Sequence, residues 1–177
     1  MEFPEPWPGD GKYSQVSLTE NNISIIYFKA NVKQIFELGK KYPWHKPDKC
    51  PACHGKRLWG HGFVLRYFKG FAQGLWIKKY RCPDCGCVHT MRPSEFWKSF
   101  QYPISTIISC LKNKISKNKW ASYAIRQNQQ YWFKGLMFQA SKIENLNKYI
   151  SLDILNKLLF NNIIPASHSI QSAILRI

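Results

Sequence analysis

Cys50-Pro51-Ala52-Cys53-His54-Gly55 and, with 28 residues between Cys53 and Cys82, Cys82-Pro83-Asp84-Cys85-Gly86 decide how this chain is read. Two thiolates two residues apart can grip one ion from a tight turn, and a second such turn completes a tetrahedron. Proline follows the first cysteine of each pair, and Gly55 and Gly86 stand just after the pairs. Glycine suits those places, because backbone amides fold back toward the sulfurs where a bulky residue at positive φ hinders them. The spacing therefore predicts one structural Zn2+ held by Cys50, Cys53, Cys82 and Cys85. The spacer exceeds the roughly 15–20 residues of the commonest pattern, and a β-hairpin absorbs the excess.

Only Cys87 and Cys110 of the six cysteines fall outside the two pairs, so a disulfide framework fits the chain less well than a metal. Cys87 either replaces Cys85 or starts the next strand as a small buried hydrophobe. His54, His61 and His89 become ligands only if a cysteine is displaced. Four cysteines close the coordination sphere and leave no position for an activated water. The His-x-Glu segment of the zinc deaminases is missing too. With no nucleophile–base pair legible either, the metal is expected to hold the fold, and the protein is not expected to be an enzyme.

Around the knuckles the texture is β. Arg57 to Phe68 and Leu75 to Tyr80 are rich in aromatic and branched residues, Gly70 and Gly74 bracket a turn between them, and Val88 to Met91 follows. Upstream, residues 1–22 read as an irregular arm, Ile23 to Phe28 is β-prone, and Asn31 to Gly39 suggests a short helix with an Asn cap and a Gly stop. Beyond Pro93 the pattern turns helical. Pro103 suits a first turn, and Ile104, Ile107, Ile108 and Leu111 recur at helical spacing. Asn118 is expected to cap a second helix, Trp120 to Arg126, with Gln127-Asn128 as a turn. Gln129 or Gln130 then opens a third helix through Ala140, and a last one runs from about Leu146 to Phe160. The expected fold is α+β, a small β zinc ribbon followed by a helical, helix-turn-helix-like domain. Its parts are an N-terminal arm and short appendage (1–47), the ribbon (48–93), the helical domain (94–162) and a loose tail (163–177).

Charge points to the partner. The chain carries 26 Lys and Arg against 10 Asp and Glu, a net +16. Between Lys49 and Ile143 there are 17 basic residues and only two acids, Asp84 and Glu95. Such a domain repels itself unless a polyanion is near, either nucleic acid or an anionic membrane surface. A bilayer-spanning apolar run and a secretory signal are both missing, so a cytoplasmic protein without a membrane partner is expected.

In the helical half, Ala121 and Ala124 are small enough for close packing, and the following helix would expose Gln129, Gln130, Phe133 and Lys134. Lys117, Lys119 and Arg126 could reach flanking phosphates, as could Arg57, Arg66, Lys69, Lys78, Lys79 and Arg81 on the ribbon. A plain helical bundle with a solvated basic face explains the same residues. A ribbon of the Cys-Pro-x-Cys type, a basic strand Leu75-Trp76-Ile77-Lys78-Lys79-Tyr80-Arg81 entering Cys-Pro-Asp-Cys-Gly, and a helical segment after it resemble a known arrangement. It is the N-terminal DNA-binding region of bacterial insertion-sequence transposases, and of related short transposase-like proteins. The resemblance covers about residues 48–140. It implies an accessory or regulatory DNA-binding protein of a mobile element, with double-stranded DNA as partner and a homodimer or a transposase as a further one. The chain departs from the pattern in its first 45 residues and in its aromatic recognition helix. A nuclease's set of three carboxylates is not legible.

Two other readings follow from the residues. Trp59, Phe63, Tyr67, Phe68 and Trp76, interleaved with basic residues, could stack the bases of RNA or single strands, or could form the ribbon's own core. The chain could also be a protein-interaction adaptor or a fragment of a longer transposase.

Overall fold

Alternation in Ile23–Phe28 sends Ser24, Ile26 and Phe28 to one side, and all three are buried. That strand and its neighbours build a mixed sheet. The computed structural model describes residues 15–18, 23–143 and 150–168, and its contacts divide the chain into two units, Met1–Ser94 and Glu95–Ile177.

In the first unit the strands are β1 (Gln15–Leu18), β2 (Ile23–Phe28), β3 (Trp59–Arg66), β4 (Leu75–Arg81) and β5 (Val88–Pro93), in the order β1-β2-β5-β4-β3. β2 and β5 are parallel, with Ser24 opposite His89 and Ile26 opposite Met91. The remaining pairs are antiparallel. The residues expected to form a separate appendage therefore supply an interior strand of the ribbon's own sheet. Helix α1 (Val32–Leu38) starts where Asn31 Oδ1 accepts from the Lys33 and Gln34 amides, and Gly39 at φ 56° ends it. It buries Val32 and Ile35. The segment after it lies on the face that carries Phe63 and Trp76. Trp44 meets Phe28 and Phe63 edge-on or tilted, and Lys40 Nζ stands 4.2 Å above the Trp76 ring.

The second unit holds α2 (Ile104–Lys117), α3 (Arg126–Ile143) and α4 (Leu152–Phe160). Ile107, Leu111, Trp132, Leu136, Leu155 and Leu158 form its core. The short helix expected over Trp120 to Arg126 is not there. Asn118, in the left-handed region at φ 51°, ends α2 instead of opening another helix. Residues 119–125 then form turns, and α3 begins at Arg126, taking Gln127 and Asn128 into the helix. The cause is Gln129. Its amide accepts from the Ala121 N–H at 2.9 Å and donates to the Ala121 and Ala124 carbonyls at 2.7 Å, so the turn's backbone is satisfied without helical bonds. A two-helix motif with a short first helix is thus replaced by two long helices and a side-chain-bonded turn.

The last helix starts at Leu152, where Ser151 Oγ accepts from the Ile154 amide at 3.4 Å. Its expected first residues, 146–149, lie outside the described residues, as do 1–14, 19–22 and 169–177. Ile164, Ala166 and Ser167, expected in a loose tail, are buried. Gly135 explains the fit, because a Cβ there would stand 2.4 Å from the Ala166 carbonyl oxygen.

Candidate metal centre and nucleic-acid interface

The two knuckles repeat one hydrogen-bond pattern. Cys50 N–H donates to the Gly55 carbonyl at 2.7 Å and its own carbonyl accepts from His54 at 2.8 Å. Cys82 N–H donates to the Cys87 carbonyl at 2.9 Å and its carbonyl accepts from Gly86 at 3.0 Å. The left-handed residue is Gly86 at φ 73° in the second knuckle, but His54 at φ 61° in the first. Gly55 is needed for space rather than for φ, since a Cβ there would meet Asp84 Oδ2 at 2.5 Å. Arg57 forms an ion pair with the same Asp84, tying the strand end to the second knuckle.

Together the knuckles bring the four predicted sulfurs within 4.8 Å of one another. Cys50 Sγ is 3.6 Å from Cys85 Sγ, and Cys53 Sγ is 3.6 Å from Cys82 Sγ. A tetrahedral ion with metal–sulfur bonds of about 2.3 Å places its sulfurs about 3.8 Å apart, so the cluster is already close to coordination geometry. Cys50 and Cys82 are fully buried, while Cys53 faces solvent. Burial pushes the Cys50 thiol up to about 12, so that without a cation it keeps its proton. Uptake of a metal therefore releases protons.

A residue set aside as a ligand completes the site from behind. His89 is fully buried, its Nε2 lies 3.2 Å from Cys50 Sγ, and its Nδ1 is hydrogen-bonded to Ser24 Oγ. Burial lowers the pKa of His89, which leaves a neutral ring with one N–H. If Cys50 is a thiolate, only one arrangement satisfies every atom. The Ser24 hydroxyl donates to Nδ1, and Nε2–H donates to the sulfur. Sequence reasoning missed this pair because the partner strand of β5 was not legible. His54 and His61 are exposed, and Cys87 is buried outside the cluster.

The chain matches no protein-family model, no curated protein and no solved structure.

Strand register sorts the basic residues. Lys79 stands opposite Thr90, Arg81 opposite Trp59 and Val88, and Arg66 opposite Leu75, so Arg66, Lys79, Arg81 and Trp59 share one sheet face. Arg92 belongs to that face as well. Burial, with Arg66 nearby, lowers it to about 10, and Phe68 lies 5.3 Å from its guanidinium. Lys78 points to the other face, where its Nζ sits 4.4 Å from the Phe63 ring and 3.3 Å from where a Gly60 Cβ would be. Lys69 lies exposed in the loop after β3, and Arg57 is engaged by Asp84. Of the aromatics, Phe68 is buried, whereas Trp59 and Tyr67 are 60% and 63% exposed.

On α3 the expected reading face changes. Gln129 is buried, and Phe133 packs edge-on against Trp120 at 6.1 Å. Arg126, Gln130 and Lys134 remain exposed at four-residue intervals, on one side of the helix. Lys117 and Lys119 are exposed at the end of α2, beside Lys114, whose Nζ donates to the Asn118 side chain at 2.7 Å.

Proposed function

We propose that this chain is a metal-stabilised DNA-binding protein, with Zn2+ in the four-cysteine centre and double-stranded DNA as its partner. Four sulfurs near tetrahedral spacing suit zinc in a closed, structural site, so the metal supports the fold and the protein is a binder, not an enzyme. The observation that carries the DNA reading is the alignment of Arg66, Lys79 and Arg81 on one sheet face, in a region almost without acids. Such rows neutralise phosphates. The Arg126, Gln130 and Lys134 stripe on α3 supplies side chains suited to base edges in a major groove. In this reading the protein is a cytoplasmic accessory factor of a mobile element, acting beside a nuclease carried on another chain.

Exposed Trp59 beside Arg81 supports a second reading, stacking of unpaired bases. Salt titrations with duplex and single-stranded probes of equal length separate the two. Duplex affinity should fall steeply with salt, and Lys79→Ala and Arg81→Ala should each lower the log–log slope by about 1. Lys78→Ala, on the opposite face, should leave the slope alone. A flat salt response, or equal slopes for all three variants, sinks the DNA reading.

A further inference from the structure

The helical unit contains a cleft of about 480 Å³ that no part of the DNA reading uses. It is bordered by the 98–102 segment, the first turns of α3 and residues 164–168. Its volume falls in the range of small-ligand sites, about 300–1,000 Å³. Buried Trp132 forms one side, with Tyr102 edge-on at 4.9 Å. Tyr131 is half exposed and its ring lies 4.1 Å from that of His168. The Asn128 amide has no hydrogen-bond partner among the described residues, and Lys98 stands at the border. Among the described residues no carboxylate lines the cleft.

The walls are preformed. Buried Gln139 donates to the Ser167 carbonyl at 2.8 Å, His168 Nε2 donates to the Tyr131 carbonyl at 2.8 Å, and Gly135 lets Ala166 approach α3. A purely apolar ligand would desolvate the Asn128 amide without pairing it. A cationic ligand would approach the Lys98 ammonium at a border where the described lining residues offer it no carboxylate. What remains is a flat aromatic ligand with donors and acceptors on its edge and a negative group attached.

We propose that this cleft takes one nucleotide, with its base against Tyr131 and Trp132, the Asn128 amide across the base edge, and its phosphate toward Lys98. Asn reads base edges through paired donor and acceptor, and aromatic rings hold the base by stacking. The nucleotide can come free from solution or as an unpaired residue of a DNA strand, because a base inside an intact duplex cannot enter a pocket. The strand-borne source rests on the DNA reading above; recognition of the nucleotide itself does not.

The full-length, zinc-loaded protein tests both sources. In one arm, free mononucleotides are titrated while the Trp132 indole resonance is followed. In the other, a duplex with one extrahelical 2-aminopurine is compared with the fully paired duplex of the same sequence. The extrahelical duplex should bind about tenfold more tightly. Asn128→Ala and Lys98→Ala should abolish that gain while leaving paired-duplex affinity and the melting curve unchanged. Indole shifts with mononucleotides, lost in Asn128→Ala, support the cleft even if no duplex binds, in which case the DNA reading alone falls. Salt-sensitive duplex binding with no extrahelical preference and no indole shift overturns the cleft and leaves the DNA reading standing.

Discussion

In the sheet unit the buried polar side chains, Ser24 and His89, lead toward sulfur. In the helical unit Gln129 and Gln139 lead instead to backbone groups of neighbouring turns. The first network ends on a cluster of four sulfurs close enough together to hold one metal ion. The second is complete within the chain. One unit should therefore depend on what is bound to it and the other on how its own pieces fit.

Removing the metal is the strongest way to break that comparison. Structural zinc sites contribute about 10–16 kcal/mol in small domains. A chelator, or Cys82→Ser, should collapse the sheet unit, while helical circular dichroism and protected amides of α2 and α3 persist. Simultaneous loss of both units in hydrogen exchange would show that they are not independent. Gly135→Ala is the reciprocal break. Its new methyl would meet the Ala166 carbonyl and should cost the helical unit about 1–3 kcal/mol, leaving metal uptake by the sheet unit untouched. A melt unaffected by this change would contradict the close approach.

A finer probe concerns His89. Replacing an outer partner of a metal ligand typically changes affinity about 10–100-fold. His89→Leu should speed metal transfer to a competing chelator by that order and shift the sulfur-to-metal charge-transfer band of the Co2+ form. His89→Gln keeps an N–H near Cys50 and should restore most of the band. Equal behaviour of the two variants would reduce His89 to a space-filler.

Much of the sheet unit was legible because its signals are local. The cysteine spacing, the hairpin strands and the Asn31-capped helix all come from residues a few positions apart, and Ile23–Phe28 carries its own β pattern. The place of that strand was hidden, since a parallel partner 65 positions away leaves no mark in either sequence. The left-handed residue of the first knuckle was also misplaced, because Gly55 sits beside His54 and glycine is the commoner occupant. In the helical unit, Gln129 reads as a surface residue by composition. Only the carbonyls that it meets reveal an interior tie, so both the turn and the exposed face of α3 came out differently.

The parallel pairing of β2 with β5 also sets an order of events during synthesis. When residues 23–28 leave the ribosome, their interior neighbour is still unmade, and both knuckles and the β3–β4 hairpin emerge before it does. Contacts of such long range form late. The four cysteines can thus come together in a half-built sheet, and the arrival of His89 beside Ser24 then closes their cluster from behind.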